Sequence, residues 1–179
     1  MGQDGAGAGD LCGGSVSIPD LWSFSLSVYG IPDVADACLT AQDQHGGDVN
    51  LLLWAVWLAA HGHDLTAAEV SAAVTATRPW NEAVVQPLRA VRRQLKSGPP
   101  PAPDTATQSL RSQVQAAELA AERVQQSVLQ NLPAQRRCQM VDAALVRANL
   151  SLLPGGDGLA MAMITALPGI IRSVNDDPT

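Results

Sequence analysis

Apolar residues in this chain recur at intervals of three and four positions, and no stretch alternates apolar and polar residues in the manner of a strand. Such spacing places apolar side chains on one face of an α-helix. The pattern therefore predicts an all-α fold, a compact helical bundle. Residues that start and stop helices divide the first hundred positions into five predicted helices, at about 19–29, 32–46, 48–60, 66–78 and 80–97.

The third predicted helix forms the centre of the bundle. It follows a polar turn that contains Gly46 and Gly47, and Asp48 is placed to cap its first turn. A helix that is apolar on every side must be enclosed by its neighbours. The apolar residues that cover this helix are Leu51, Leu52, Leu53, Trp54, Val56, Trp57 and Leu58.

Prolines affect the fourth and fifth helices. The fourth opens with a capping box, Thr66 to Glu69, and is expected to end before Pro79, because the residue preceding a proline avoids the helical conformation. Pro87 lies inside the fifth helix and is expected to bend or interrupt it. The fifth helix carries two stripes, an apolar one of Val84, Leu88, Val91 and Leu95 and a cationic one of Arg89, Arg92, Arg93 and Lys96.

The segment Gly98–Pro103 is a predicted linker, because consecutive prolines favour an extended conformation that a helix cannot continue through. Beyond it, apolar residues at seven-residue spacing predict a long helix with a coiled-coil seam of Leu110, Val114, Ala117, Ala121, Val124 and Val128. The predicted organisation is a disordered lead-in at 1–16, a five-helix core domain at 17–97, a linker at 98–107, and a long helix with a helical tail at 108–179. Whether the end of that tail is ordered is left open.

Charge is unevenly distributed along the chain. The first 77 residues contain nine acidic residues and no basic one, whereas residues 78–179 contain eleven basic and eight acidic residues, for a net charge of −6. The cationic stripe has several possible uses: it is solvated, it contacts another protein, or it packs on acidic groups such as Glu118 and Glu122 of the same chain. The acidic total and the lack of interleaved aromatic residues argue against a nucleic-acid partner.

The turn between the second and third helices carries a polar cluster. Carboxylates, an imidazole and amides in one place are suited to bind a small ligand or a divalent cation, or to act as an acid/base pair. The alternative is structural, because helix ends and turns use the same residue types to satisfy backbone donors. The candidate ligand-binding residues are Gln42, Asp43, His45, Asp48 and Asn50, with Trp54 as an apolar anchor.

Other candidate chemistry is weaker. His61 and His63 flank a glycine and are more simply explained by a helix stop than by a metal pair, and Cys38 lies on an apolar helix face without an activating partner. Three widely spaced cysteines predict neither a disulfide framework nor a zinc site. We predict no catalytic residue, no metal and no cofactor, and the enzyme question stays open with a preference for no.

No signal sequence opens the chain, and its uncharged apolar runs are shorter than the roughly 20 residues that cross a bilayer. These features predict a cytoplasmic protein without a membrane span. The sequence leaves the oligomeric state open.

Several motifs occur in an order that resembles one family. They lie at 21–24, 37–43, 46–53, 80–96 and 118–123, and they resemble DUF2390, a family of proteobacterial proteins of unassigned activity. The resemblance covers roughly Leu21 to Leu129. It implies a cytoplasmic bacterial protein and supplies no catalytic residues.

The sequence therefore favours a non-catalytic protein-interaction or adaptor module whose charged faces bind another protein. The alternative is a small-ligand-binding protein or an enzyme that uses Asp43 and His45 at the turn between helices two and three. A second alternative is weak nucleic-acid contact through the basic helix.

Overall fold

The computed structural model describes residues 18–133 and 141–175, and it confirms the all-α prediction, since these residues form helices and no strand. The predicted lead-in at 1–16 lies outside the described residues, as do 134–140 and the last residues of the tail, 176–179. The helices are α1 (Leu21–Tyr29), α2 (Pro32–His45), α3 (Val49–Ala60), α4 (Ala67–Trp80), a π-helical turn (Asn81–Val85), α5 (Gln86–Ser97), α6 (Thr105–Gln130), α7 (Ala143–Ser151) and α8 (Gly156–Asn175).

Local sequence explains where most of these helices begin and end. The side chain of Asp48 accepts a hydrogen bond from the Asn50 backbone N–H at 2.9 Å and so caps α3, and Thr66 and Glu69 form the predicted capping box of α4. Gly46 ends α2 in the left-handed conformation with φ of 66°, which favours glycine. Gly47 serves close packing instead, since a Cβ there would lie 2.6 Å from the carbonyl oxygen of Pro154.

The predicted stop before Pro79 is wrong. α4 continues through Pro79 to Trp80 and passes without a break through the π-helical turn into α5. A proline inside a helix costs about 3 kcal/mol, but tertiary contacts hold this segment in place. Trp80 Nε1 donates a hydrogen bond to the Ala121 carbonyl of α6 at 2.9 Å, and Val85 is fully buried. The π-helical turn inserts one residue into the helix and directly precedes Pro87, which lies in the first turn of α5.

α3 lies at the centre of the core, as the sequence predicts. Leu52, Ala55, Val56 and Ala59 of this helix have no exposed surface, and Val49 and Trp57 are its partly buried apolar residues. The core cluster extends past the proline-rich linker and includes residues of α6, α7 and α8. The helices on the two sides of the linker therefore share one core. None of the described helices combines the length and apolar character that a membrane crossing requires.

The predicted coiled-coil seam of α6 does not form the buried face of this helix. Leu110, Val124 and Val128 are 47%, 47% and 40% exposed, and among the seam residues only Ala121 is buried. The buried face of α6 is instead a largely polar stripe of Glu118, Ala121, Gln125, Gln126 and Leu129. Polar side chains can be buried on this face because polar groups of α3, the π-helical turn and α5 form hydrogen bonds with them.

Candidate ligand-binding site

A cavity of about 300 Å³ lies between α1, α2, α3, α5 and α6. Its apolar wall comes from α1, α2, α3 and α6, and consists of Trp22, Leu26, Tyr29, Leu39, Val49, Leu53 and Leu119. Leu26, Leu39 and Leu119 are each about half exposed, at 51%, 45% and 46%, so they mark the mouth of the cavity. Aliphatic and aromatic side chains of this kind are suited to enclose the apolar body of a small molecule.

Two arginines and two glutamates form a charged wall of the same cavity. Arg89 donates from Nε to Glu118 Oε1 at 2.9 Å and from Nη2 to Glu122 Oε1 at 2.6 Å. Arg92 donates from Nη2 to Glu118 Oε1 at 3.1 Å and from Nε to Glu118 Oε2. These ion pairs join α5 to α6 along one wall of the cavity. Each hydrogen bond is charge-assisted, because both the donor and the acceptor are ionised.

The two glutamates differ in their pKa values although they lie one turn apart. Burial alone would raise the pKa of Glu118, but hydrogen bonds and charges from Arg92 and Arg89 outweigh it, and the net shift is downward. For Glu122, burial is the largest effect and raises the pKa, and Arg89 offsets it only in part. Glu118 is therefore the firmly ionised member of the pair, and Glu122 binds a proton more readily than an exposed glutamate.

Behind the cavity wall, buried amides surround Asp48. Its Oδ2 atom accepts hydrogen bonds from the side-chain amides of Asn81 and Gln125, each at 2.6 Å. Asn50 Nδ2 donates to Gln125 Oε1 at 3.0 Å, and Gln126 Nε2 donates to Asn50 Oδ1 at 2.9 Å. Gln125 is fully buried, and Gln126 and Asn50 are only 3% and 5% exposed. These bonds connect α3, the π-helical turn and α6 from the core to the cavity.

Two residues of the cavity wall each retain a buried polar atom without a hydrogen-bond partner among the described residues. They are Ser25, through Oγ, and Gln126, through Oε1. A buried polar group that lacks a partner costs about 1–3 kcal/mol, so such groups are rare in folded proteins. Among the described residues, these two atoms of the cavity wall have hydrogen-bonding capacity that no protein group uses.

The six candidate ligand-binding residues do not come together in one site. Gln42 and Asn50 line the cavity, and Asp48 lies behind Asn50 in the amide network. Trp54 is 2% exposed in the core and borders a separate, smaller cavity of about 60 Å³. Asp43 and His45 are exposed at the surface and do not line the larger cavity.

Asp43 takes part in surface contacts. It accepts a hydrogen bond from Gln42 Nε2 at 3.1 Å and pairs with Arg93. The Gln42 hydrogen bond, followed by that of Arg93, lowers the pKa of Asp43. The sequence-predicted pair of Asp43 and His45 therefore lies outside the larger cavity.

The cationic stripe of α5 is largely paired within the chain. Arg89 and Arg92 face Glu118 and Glu122, one of the uses left open by the sequence, and Arg93 pairs with Asp43. Lys96 is exposed. A protein partner that binds this stripe would have to compete with these ion pairs, and such binding stays a prediction.

Sequence reasoning missed Ser25, Asn81, Gln125 and Gln126 as site residues. Each is polar, and nothing in its immediate neighbours predicts burial. One available signal was that two glutamines, Gln125 and Gln126, are adjacent in a helix whose apolar residues were assigned to a seam. The burial of these two glutamines depends on hydrogen-bond partners 44 to 77 positions away in the chain.

The remaining candidates are structural. His63 is 1% exposed and its Nε2 lies 3.2 Å from Glu69 Oε1, while the backbone N–H of His61 caps the end of α3. Cys38 is fully buried, and burial raises the pKa of its thiol to about 12, which disfavours the reactive thiolate. Within the described ranges, no three His, Cys, Asp or Glu side chains are grouped so that they could hold a metal ion.

Comparison with known proteins gives one match. A family described as a protein of unknown function (DUF2390) matches residues 20–129, which confirms the resemblance seen in the sequence motifs. The matched segment contains every residue that lines the larger cavity, whereas α7 and α8 lie outside it. No curated protein and no solved structure matches the chain.

Proposed function

The chain belongs to the DUF2390 family, and we propose that it is a small-ligand-binding protein whose site is the cavity between α1, α2, α3, α5 and α6. The observation that carries this proposal is the combination of a cavity with buried polar atoms in its wall that have no partner in the described structure. Ligand sites typically have mostly apolar walls and a few fixed polar groups. A volume of about 300 Å³ suits a small molecule with one apolar body and one polar end.

The organisation of the polar wall supports binding over catalysis. Glu118 is held by two arginines, and the amides of Asn50 and Gln126 are fixed by hydrogen bonds. Side chains that are already oriented lose little entropy when a ligand binds, which favours affinity. The described cavity wall offers no serine or cysteine beside a histidine base, so we propose recognition as its role.

We expect that filling the mouth of the cavity abolishes ligand binding. Leu119→Trp enlarges a half-exposed side chain at the rim of the cavity without changing the core. Hits from a fragment library, detected by ligand-observed NMR and measured by calorimetry, should bind this variant at least about tenfold more weakly, a loss of about 1.4 kcal/mol.

Leu110→Trp is the matched control. Leu110 is 47% exposed on the same helix, but it does not line the cavity, so this variant should bind the same fragments with unchanged affinity. Equal affinities for both variants and the unmodified protein would show that the fragments bind elsewhere and would contradict the proposed site.

A second candidate function is self-association through α6, and it keeps the interaction role that the sequence favours. Leu110, Val124 and Val128 are exposed along one helix at coiled-coil spacing, and a second copy of the chain offers the same seam. We expect Val124→Glu to reduce the dimer fraction in sedimentation experiments, because two like charges would face each other. Ser127→Glu, at an exposed position of the same helix, is the control. A monomer at all concentrations before substitution contradicts this candidate.

A further inference from the structure

The carboxylate of Asp48 determines which end of each buried side-chain amide donates a hydrogen bond and which end accepts one. A carboxylate only accepts hydrogen bonds, so Gln125 must direct Nε2 toward Asp48 Oδ2, 2.6 Å away. Gln125 Oε1 then accepts from Asn50 Nδ2 at 3.0 Å. Asn50 consequently presents Oδ1 to Gln126, whose Nε2 donates to it at 2.9 Å. Because each amide has one donor end and one acceptor end, the direction set at Asp48 passes unchanged to Gln126.

Gln126 Oε1 is the end of this amide relay, which consists of Asp48, Gln125, Asn50 and Gln126. The nitrogen of Gln126 is used by Asn50, and its Oε1 is buried without a partner in the described part of the chain. Gln126 could exchange the positions of Oε1 and Nε2 only if the whole relay reversed. Reversal would place the N–H group of Gln125 away from Asp48 and two oxygens against each other.

We propose that the ligand of this cavity carries an N–H or O–H group that donates a hydrogen bond to Gln126 Oε1. The inference rests on the proposed ligand-binding function, and it specifies the ligand class: a small apolar molecule with a hydroxyl, amide or amine. A site with a buried acceptor discriminates strongly against an analogue that has no donor, because the acceptor is then left without a partner.

The other groups of the wall agree with this class. Glu118 and Glu122 add carboxylate acceptors, while the donors of Arg89 and Arg92 are directed at those carboxylates. The Ser25 hydroxyl either donates or accepts, so it does not distinguish the two kinds of ligand. The glutamates thus favour a donor as Gln126 does, and Gln126 Oε1 differs from them in having no partner in the described structure.

Two probes that differ in one hydrogen-bond donor test the inference. 4-Propylphenol has a hydroxyl, and 4-propylanisole carries a methyl group in place of the hydroxyl proton. We expect the protein to bind the phenol about tenfold more tightly than the ether, the ratio that one satisfied buried acceptor produces. Gln126→Met keeps the length of the side chain and removes the acceptor, so the ratio of the two Kd values should fall to about one. Gln113→Met, at an exposed position of α6 that does not line the cavity, is the control and should keep the tenfold ratio.

Asp48→Asn tests the relay without a ligand. An asparagine at this position can still cap α3 with its oxygen, and its N–H group then faces Gln125, which forces the relay to reverse. The side-chain NH₂ protons of Gln126 should lose their partner Asn50 and exchange with solvent at least about tenfold faster in NMR experiments. The phenol-to-ether ratio should fall as in Gln126→Met.

Each outcome of these experiments is decisive. Equal Kd values for phenol and ether in the unmodified protein, or an unchanged ratio in Gln126→Met, overturn the assignment of Gln126 as the recognising group and leave the cavity as a ligand site. An unchanged exchange rate for Gln126 in Asp48→Asn overturns the relay. Failure of both probes to bind the unmodified protein contradicts the proposed function itself.

Discussion

Asn149→Ala should lower the free energy of unfolding by about 4 kcal/mol, because it leaves buried backbone groups without partners. Asn149 is fully buried in α7. Its Oδ1 accepts from the Leu65 backbone N–H at 2.9 Å, and its Nδ2 donates to the carbonyl oxygens of His63 at 2.9 Å and Ala55 at 3.2 Å. One side chain thus joins α7 to α3 and to the loop that precedes α4.

Urea unfolding followed by circular dichroism measures this effect, and Asn131→Ala is the matched control. Asn131 is exposed, and its side chain donates to the Ser127 carbonyl of the preceding turn. Its replacement should change the free energy of unfolding by no more than about 0.5 kcal/mol. Similar values for the two variants would show that α7 does not depend on Asn149 for its docking.

Asn149 also shows that the folded unit extends beyond the family match. The matched segment ends at residue 129, yet Leu150 and Met163 of α7 and α8 are fully buried in the same core cluster as α3. A helix as apolar as α3 needs neighbours on every side. The helices after the linker supply some of those neighbours, so they belong to the fold and are not an appendage.

The sequence was sufficient to predict features that depend on neighbouring residues. The caps at Asp48 and Thr66, the glycine that ends α2 and the enclosed α3 each depend on a few consecutive positions. Such signals are local, because the backbone groups at a helix end are satisfied within one turn. The all-α fold follows from the sum of these local signals.

Features that depend on distant partners could not be predicted in the same way. Hydrophobic spacing assigned α6 a seam through Leu110 and Val124, but the helix buries Gln125 and Gln126. A buried glutamine is stable only where its hydrogen bonds are satisfied, and the partners here come from α3 and the π-helical turn. Polarity alone cannot show which polar residues will find such partners, so the network and the cavity became visible only in the structure.

The continuation of α4 through Pro79 also depends on partners that are distant in the chain. The local preference ends the helix, but contacts of Trp80 with α6 and the burial of Val85 keep the chain helical. The resulting π-helical turn carries Asn81, which donates to Asp48. A departure from local preference thus supplies one member of the polar network behind the cavity.

Glu118→Gln should lower the free energy of unfolding by about 3 kcal/mol at neutral pH, because it leaves the guanidinium groups of Arg89 and Arg92 without their shared carboxylate. The loss should shrink in acid. The pKa of Glu118 is lowered by Arg92 and Arg89 against the effect of burial, so its stabilising contribution is present above its ordinary pKa of 4.5 and disappears as pH falls through the lower folded value.

Glu122→Gln should show the opposite pH dependence and serves as the matched variant. Burial raises the pKa of Glu122, so the protonated side chain stabilises the folded state, and that contribution is lost as pH rises from 4.5 through the raised folded value. A glutamine cannot lose a proton in this way. In urea unfolding, the variant should therefore match the unmodified protein below pH 4.5 and become the more stable of the two as pH rises above that value.

The two variants together test whether the charged wall is divided as the structure indicates. Both glutamates bind Arg89 and lie one turn apart on α6, so a simple count of ion pairs predicts two similar losses of stability. Glu118 binds two arginines whereas Glu122 binds one, and this difference predicts stability differences of opposite sign at neutral pH. Parallel pH profiles of the free energy of unfolding for Glu118→Gln and Glu122→Gln would show that the two carboxylates share one environment. The charged wall would then be one cluster of equivalent carboxylates. It would not consist of an ionised Glu118 and a Glu122 that binds a proton more readily.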